Sequence, residues 1–205
     1  MKCNFYKELI QGWNGKFFSP LSLRERGRER ELKVDSNKII PTLSPEFAKR
    51  RAYRNDSPHK KIWDILDNVF DPELPGLTIW DLGILQDIRL DEDEYTIAVT
   101  PTYSGCPAVD QINSDIKTEL AKFDFNKIKV EVTLSPAWST EMMSPQGKAH
   151  LKSINIAPPD ENDKVICPIC DSDNTQVISQ FGSTACKSLY QCKDCSEAFD
   201  YFKHF

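Results

Sequence analysis

The sequence predicts an α+β protein with two folded parts, a small two-layer sandwich over residues 61–157 and a cysteine-rich unit over residues 165–205. Three observations support this prediction. Apolar patterns with helix and strand periods alternate through the first part. A polar, proline-containing linker follows over residues 158–164, and five of the seven cysteines lie beyond it. Residues 1–60 show no sustained period, so we expect a disordered basic extension there.

Charge is divided unevenly along the chain. Residues 1–60 carry 14 lysines and arginines against 7 aspartates and glutamates, whereas the rest carries 12 against 24. An acidic body repels phosphate backbones, which argues against nucleic acid as its partner. For the basic extension, an arm that binds RNA or an anionic membrane surface is the alternative to disorder.

The compartment follows from what the sequence lacks. No apolar run approaches the length of a membrane span, and the first twenty residues contain no continuous apolar segment of a secretory signal. We therefore expect a cytoplasmic protein without a membrane partner, whose cysteines serve as metal ligands or reactive thiols rather than disulfides. After Met1 the next methionine is Met142, and the extension resembles translated intergenic sequence, which predicts a native start further downstream.

The first part begins with a helix and a hairpin. Ile62, Leu66, Val69 and Phe70 recur at helical spacing, and Pro72 is expected to end that helix. Two strands are then predicted at 84–90 and 95–100, joined by an acidic turn at 91–94.

Three further elements complete the first part. The apolar spacing over 109–120 predicts a second amphipathic helix, and strict alternation over 128–134 predicts a half-buried strand. Ser144 is the expected cap of a last helix, with Pro145 in its first turn and its end near Lys152. We expect the strands of this sandwich to be antiparallel.

The second part carries two C-x2-C pairs with 21 residues between them, Cys167 with Cys170 and Cys192 with Cys195. Four thiolates brought together in this way suit a tetrahedral zinc ion. Iron or an iron–sulfur cluster remains the alternative.

The residues between the two pairs fit a zinc ribbon of the rubredoxin-like type. Strands are predicted at 176–181 and 187–191, with a turn near Gly182. About forty residues cannot bury enough apolar surface to fold alone. A structural zinc supplies about 10–16 kcal/mol of apparent binding free energy, so we expect the metal to hold this unit together.

Cys106 stands alone in the first part, immediately before the second helix. Pro107 suits the first helical position, which makes Cys106 the predicted N-cap. A thiol there faces unpaired N–H groups and the positive end of the helix dipole, so we expect a lowered pKa and a reactive thiolate. The alternative is a capped helix with an inert thiol.

Three other residues are candidates for a supporting role. Asp71 and Glu73 flank Pro72 and could accept a proton or help to hold a metal if their loop folds beside Cys106. The alternative is that they only mark the end of a helix. Cys186 is a spare ligand or redox thiol in one interpretation and a small buried packing residue in the other.

Three blocks of sequence together resemble the PaaD family, small accessory subunits of the bacterial phenylacetyl-CoA epoxidase system. The resemblance covers residues 61–205, and the first part alone is similar to a wider iron–sulfur assembly family that includes SufT. The blocks are Asp71-Pro72-Glu73 followed by Asp81-Leu82-Gly83-Ile84, Thr100-Pro101-Thr102-Tyr103-Ser104-Gly105-Cys106-Pro107-Ala108, and Phe181-Gly182-Ser183-Thr184-Ala185-Cys186-Lys187 leading to Phe199-Asp200-Tyr201-Phe202-Lys203.

The resemblance implies a helper in phenylacetate breakdown rather than a catalyst. Such a protein would assist the maturation of the iron–sulfur or di-iron centres of the ring epoxidase. Its partners would be the other epoxidase subunits, especially the reductase, and Cys106 would hold iron or a cluster transiently. The chain itself lacks a repeated Glu-x-x-His pattern and a dinucleotide fingerprint. Two alternatives stay open: a structural subunit bridging oxygenase and reductase, and a thiol enzyme that uses Cys106 as nucleophile.

Overall fold

The computed structural model describes residues 43–160 and 164–203. The predictions for residues 1–42, and for residues 161–163 of the linker, lie outside the described residues. The elements in chain order are α1 (Pro45–Asp56), α2 (Lys60–Leu66), β1 (Leu85–Asp91), β2 (Glu94–Val99), α3 (Ala108–Ala121), β3 (Ile128–Val132), a 3-10 turn (Thr140–Met142), α4 (Pro145–Ser153), β4 (Ile156–Ala157), β5 (Thr175–Ser179), β6 (Lys187–Cys192) and β7 (Ala198–Phe202).

The first sheet has the order β1-β2-β3. β1 and β2 form the predicted antiparallel hairpin, but β3 runs parallel to β2. The expectation of antiparallel strands throughout is therefore wrong for β3, because the chain returns to the same end of the sheet through α3. β3 is also an edge strand. Its last residue Val132 and the nearby Leu134, within the predicted strand, are 46% and 57% exposed rather than buried.

Helices α2 and α3 supply the layer over this sheet. Both contribute fully buried side chains, and the long loop after α2 fills the rest of the core. The predicted helix from residue 62 to 70 ends earlier, at Leu66, since the chain turns there to bury Val69. Phe70 is exposed, and it forms an isolated bridge with Thr78. Principal core residues are Ile62, Trp63, Leu66, Leu74, Leu77, Ile79, Leu85, Ile97, Ile112, Ile116 and Leu120.

Helix α1 corrects the prediction of disorder for residues 45–56 of the extension. The Ser44 side chain accepts a hydrogen bond from the N–H of Phe47 at 3.2 Å, and Pro45 occupies the first helical turn. Phe47 and Arg50 are buried against the core. Pro45 suits the start of this helix, because the first turn needs no N–H partner.

Helix α4 begins as predicted. Ser144 is its N-cap and accepts from the N–H of Gly147 at 2.8 Å, while its hydroxyl donates to Asp81 at 2.5 Å. A Cβ on Gly147 would lie 2.7 Å from the Asp81 carbonyl oxygen, so the close approach of this helix requires glycine. The cap ties α4 to the loop that precedes β1.

The second sheet forms the ribbon, with the order β4-β7-β6-β5. β5 and β6 are the two predicted ribbon strands, and the C-terminal β7 joins them. β4 pairs in parallel with β7, so the last two residues assigned to the sandwich belong to the ribbon sheet. The ribbon packs on the main core through Cys186 and Phe202, which are buried in the same cluster as α2 and α3.

Candidate functional site

The four cysteines of the C-x2-C pairs converge on one point. All four Sγ atoms lie within 4.8 Å of one another. Cys167 Sγ lies 3.7 Å from Cys195 Sγ, and Cys170 Sγ lies 3.5 Å from Cys192 Sγ. A tetrahedral zinc with Zn–S bonds of about 2.3 Å needs edges of about 3.8 Å. The donor set therefore fits a structural zinc.

Backbone groups around the cage support anionic sulfur. The N–H groups of Ser172, Asp194 and Glu197 donate to cysteine sulfurs of this cage. The Asp194 carboxylate in turn accepts from the hydroxyl of Ser172 at 2.5 Å and from the amide of Asn174 at 2.7 Å. These contacts fix the two cysteine turns relative to each other, as outer contacts of a structural metal commonly do.

Cys106 lies in the loop between β2 and α3. Pro107 is the N-cap of α3 and its first helical residue is Ala108, so Cys106 stands one residue further out than predicted. Its own N–H donates to the Tyr103 carbonyl at 3.2 Å, and its sulfur accepts from the Ala108 N–H. The thiol is half-buried rather than fully exposed.

The predicted lowering of the Cys106 pKa is wrong. Burial raises the pKa of this thiol to about 11, and the nearby Glu73, Asp71 and Cys186 add to the shift. The N–H of Ala108 acts in the opposite direction, as the sequence predicts for a helix start, but it is outweighed. At neutral pH the free side chain is therefore a protonated thiol.

The loop carrying Asp71 and Glu73 does fold beside Cys106. Asp71 is only 6% exposed, and its Oδ1 accepts from the N–H of Glu73 at 2.8 Å. Burial raises the Asp71 pKa, and the Glu73 carboxylate adds to this while the N–H bond opposes it. The structure thus places two carboxylates within electrostatic reach of the thiol.

Cys186 reaches the same place from the ribbon. It lies just before β6, is 4% exposed, and its Sγ is 3.0 Å from the Thr184 hydroxyl. Burial raises its pKa, and Glu73 and Asp71 raise it further. The four candidates for thiol and supporting roles, which come from three separate segments of the chain, therefore lie within electrostatic reach of one another. We call Cys106, Cys186, Asp71 and Glu73 the two-thiol site.

Two residues of this neighbourhood were not singled out from the sequence. The phenol of Tyr103 is in hydrogen-bonding contact with the Cys106 side chain, and burial raises its pKa. Lys187 is 4% exposed, with its Nζ 4.0 Å from Asp200 Oδ2, and its charge opposes the raised pKa of both Cys186 and Asp71. Tyr103 stands three residues before Cys106, and Lys187 directly follows Cys186. That proximity in the sequence is the signal that could have found them.

The fold and the cysteine cage define a class of protein, a domain of the iron–sulfur assembly type joined to a zinc ribbon. Residues 59–132 match the family model described as iron–sulfur cluster assembly protein. Residues 155–203 match the model described as PaaD zinc beta ribbon domain.

A curated relative covers both parts. A protein of Escherichia coli K12 that is named as a component of 1,2-phenylacetyl-CoA epoxidase is 41% identical over 150 residues, which are 70% of this chain and 91% of that protein. The chain belongs to the PaaD family.

Two further similarities concern the first part. The Fe–S protein maturation auxiliary factor SufT of Staphylococcus aureus is 36% identical over 85 residues, 40% of this chain and 96% of that protein. A solved DUF59 domain from Bacillus anthracis has 37% identity and a TM-score of 0.42, covering 51% of this chain and 95% of that one. Among the described residues, no helix is both long and apolar enough to cross a bilayer.

Proposed function

We propose that the protein is an accessory factor of phenylacetyl-CoA epoxidase that helps to mature its iron–sulfur or di-iron centres. Membership of the PaaD family supports the epoxidase system, and the similarity to maturation factors supports the metal-centre role. In this function Cys106 holds iron or a small cluster as cargo, and Asp71 and Glu73 assist it.

The observation that carries the proposal is the setting of Cys106. A half-buried thiol beside two carboxylates stays protonated, and therefore resists oxidation and alkylation, until iron displaces its proton. Delivery is then a ligand exchange without a change in oxidation state. The bond between iron and Cys106 breaks, a bond between iron and a client thiolate forms, and the freed Cys106 thiolate takes up the proton that the client thiol has lost.

The ribbon cage has a separate, structural role in this proposal. Cys167, Cys170, Cys192 and Cys195 would hold zinc permanently, since the sulfur spacing fits a closed tetrahedron with no open position. The zinc supplies folding free energy to a unit that is too small for an adequate core. It takes no part in delivery.

The direct test is Cys106→Ala in cells that grow on phenylacetate. We expect loss of growth, low epoxidase activity, and oxygenase or reductase subunits that lack part of their metal. Ser114→Ala is the matched control, because it changes an exposed position on α3 outside the two-thiol site. Normal activity together with normal metal content in the Cys106 variant would remove this thiol from the function.

One surface favours the second candidate, a bridging subunit that handles no metal. Three apolar side chains of the ribbon hairpin are exposed, and β5, which carries two of them, is an edge strand of its sheet. They are Val177, Ile178 and Phe181. If bridging is the function, Ile178→Asp abolishes co-purification of the oxygenase with the reductase, while Cys106→Ala leaves both co-purification and activity unchanged.

The third candidate, a thiol enzyme, is disfavoured by the same setting. A nucleophilic cysteine needs a substantial thiolate fraction at neutral pH. A pKa of about 11 leaves Cys106 almost wholly protonated there. Slow alkylation of Cys106 at pH 7 is the expected result.

A further inference from the structure

An open groove lies between the ribbon and the first domain. Its walls come from the loop with Glu73 and Pro75, from the connection between α4 and β4, and from the three long strands and the hairpin turn of the ribbon. It holds about 700 Å³, a size within the range of natural binding clefts. We call it the interdomain groove. We infer that the client docks there, through an extended, uncharged peptide segment with apolar side chains. This rests on the proposed function and deepens it, because it names the chemistry of the partner that receives the cargo.

The larger part of the groove wall is apolar. Ile154, Ile156, Leu189 and Phe199 line it. Phe181 also lines it, yet 69% of this aromatic residue is exposed. An exposed aromatic side chain beside a concave apolar surface is typical of a contact with another protein. Apolar side chains of a bound segment would pack against these residues and shield them from water.

A buried cation with unused hydrogen-bond donors lines the same groove. The Lys187 side chain is 5% exposed, and its Nζ lies 4.0 Å from Asp200 Oδ2. That distance is too long for a hydrogen bond, and within residues 43–160 and 164–203 no other carboxylate oxygen comes as close to Nζ. Asp200 Oδ2 instead accepts from the Ser183 hydroxyl at 2.8 Å. Since an ammonium has three N–H donors and burial removes most of their water, Lys187 is left with donors for an acceptor that a bound partner brings.

The charges around the groove favour a peptide over an anion. The carboxylates of Glu73 and Asp200 line it together with the Lys187 ammonium. A free carboxylate or phosphate in the groove would therefore face two like charges. A peptide group is uncharged and offers the complementary set, a carbonyl for the ammonium and an N–H for a carboxylate. Main-chain hydrogen bonds combined with apolar side-chain contacts are the usual means by which an extended peptide is recognised.

The groove adjoins the two-thiol site. Glu73 belongs to both, and Lys187 directly follows Cys186 in the chain, so their Cα atoms are about 3.8 Å apart. Backbone hydrogen bonds hold this stretch in place. The Cys186 carbonyl accepts from the N–H of Lys203 at 3.0 Å, and the Lys187 carbonyl accepts from the N–H of Gly182 at 2.8 Å. A client segment in the groove therefore lies next to the site that we propose for the cargo.

Binding of the purified epoxidase subunits tests the inference. Zinc-replete full-length protein is titrated with the oxygenase and with the reductase, and Kd is measured. Ala198→Trp fills the groove from an exposed position, and Lys187→Met removes the ammonium. We expect each change to weaken binding of the client subunit at least tenfold, whereas Ser114→Trp, at an exposed position on α3, leaves it unchanged. Wild-type affinity in both groove variants, or no binding of either subunit to the wild type, overturns the inference.

The same titration separates this inference from the proposed function. Cys106 is not among the residues that line the groove, so Cys106→Ala should bind the client as tightly as the wild type does and still fail to deliver metal. Normal binding by the groove variants, with delivery lost in Cys106→Ala, overturns the docking groove and leaves the proposed function intact. Normal delivery by Cys106→Ala overturns the proposed function.

Unfolding measurements distinguish a docking role of Lys187 from a structural one. The Asp200 carboxylate keeps its hydrogen bond from Ser183 when the ammonium is removed. Lys187→Met should therefore leave the free energy of unfolding unchanged or raise it, because a buried charge without hydrogen bonds is replaced by an apolar side chain of similar length. A large loss of stability would show that the fold needs the ammonium, and would contradict its assignment to the client.

A photocrosslink identifies the occupant of the groove. The photoreactive residue p-benzoylphenylalanine replaces Ala198 in cells that make the epoxidase, and the crosslinked peptides are mapped after irradiation. We expect one segment of a client subunit, with apolar and uncharged side chains. A crosslink to a second copy of this chain, to another part of the same chain or to a charged surface of a subunit overturns the inference, and so does the absence of any crosslink.

Discussion

Trp138 and Phe202 meet edge to face across the boundary between the two domains, with ring centroids 5.8 Å apart. Phe202 is fully buried, and the Trp138 indole N–H donates to the Leu82 carbonyl at 3.0 Å. This contact seats the ribbon on the first domain. It thereby places Cys186 beside the loop that carries Asp71 and Glu73.

Phe202→Ala is expected to undock the ribbon while leaving its zinc in place. Removal of a buried phenylalanine costs about 3–5 kcal/mol. Urea unfolding should show this loss, and alkylation of Cys186 should become at least tenfold faster. Phe181→Ala is the matched control, because Phe181 is 69% exposed and its removal should change the free energy of unfolding by less than about 0.5 kcal/mol. Unchanged Cys186 protection in Phe202→Ala would argue against this docking contact.

Replacement of the buried, charged Arg50 should strongly lower the free energy of unfolding. Its guanidinium donates to the carbonyls of Met142 at 2.5 Å and Leu85 at 2.6 Å and lies 4.7 Å from the centroid of the Trp80 ring. Burial lowers its pKa to about 10, which leaves it charged at neutral pH. Arg50→Ala strands two buried carbonyls and should cost about 3 kcal/mol or more in thermal or urea unfolding. Arg51→Ala, an exposed neighbour on the same helix, should be close to neutral.

The raised pKa of Cys106 predicts a particular pH profile. In metal-free protein, alkylation of Cys106 should be very slow at pH 7 and should accelerate about tenfold per pH unit up to about pH 11. Glu73→Gln removes a negative neighbour, so its profile should shift to lower pH. An alkylation rate that already reaches its plateau near pH 7 would contradict the raised pKa. It would support the lowered thiol pKa that the helix start alone predicts.

The same shift has a consequence for stability. The thiol pKa is about 11 in the folded protein and about 8.5 in an unfolded chain. The contribution to stability is therefore fully present below about pH 8.5 and is lost as the pH rises through 11. Cys106→Ala should flatten this part of the curve of unfolding free energy against pH. If the slope of that curve is identical in the wild type and the variant, another group is responsible for the pH dependence in this range.

Zinc removal should unfold the ribbon and not the first domain. A strong chelator removes the metal, and Cys192→Ser removes one of its ligands. The ribbon depends on that metal to fold. We expect the amides of β5, β6 and β7 to lose their protection from hydrogen exchange, and the fluorescence of Trp138 to report its exposure to solvent. Helices α2 and α3 should keep their protection. Cys106→Ser should keep one zinc per chain. Zinc content unchanged by Cys192→Ser would contradict the four-sulfur cage.

The parts that the sequence predicted well depend on local chemistry. Ser144 and Pro145 indicate a helix start, because capping involves only neighbours a few residues away. The two C-x2-C pairs predict that their four sulfurs come together, since each pair forms a turn and one metal ion can bind both pairs. Helix α1 was not predicted because residues 1–60 show no sustained apolar period, and the burial of Arg50 depends on carbonyls 35 and 92 residues away.

The Cys106 site shows why the remainder could not be predicted. A helix start lowers a thiol pKa, and the sequence displays that local effect. The opposing effects, burial and the charges of Asp71, Glu73 and Cys186, come from segments more than thirty residues away on either side. Their strength depends on the docking of the ribbon, which no local pattern records.

The most direct test of the cargo-holding role is the iron and acid-labile sulfide content of protein isolated without oxygen from cells that make the epoxidase. The account predicts iron and sulfide in addition to one zinc for the wild type, and zinc alone for Cys106→Ala. Equal iron and sulfide in the two proteins would contradict it.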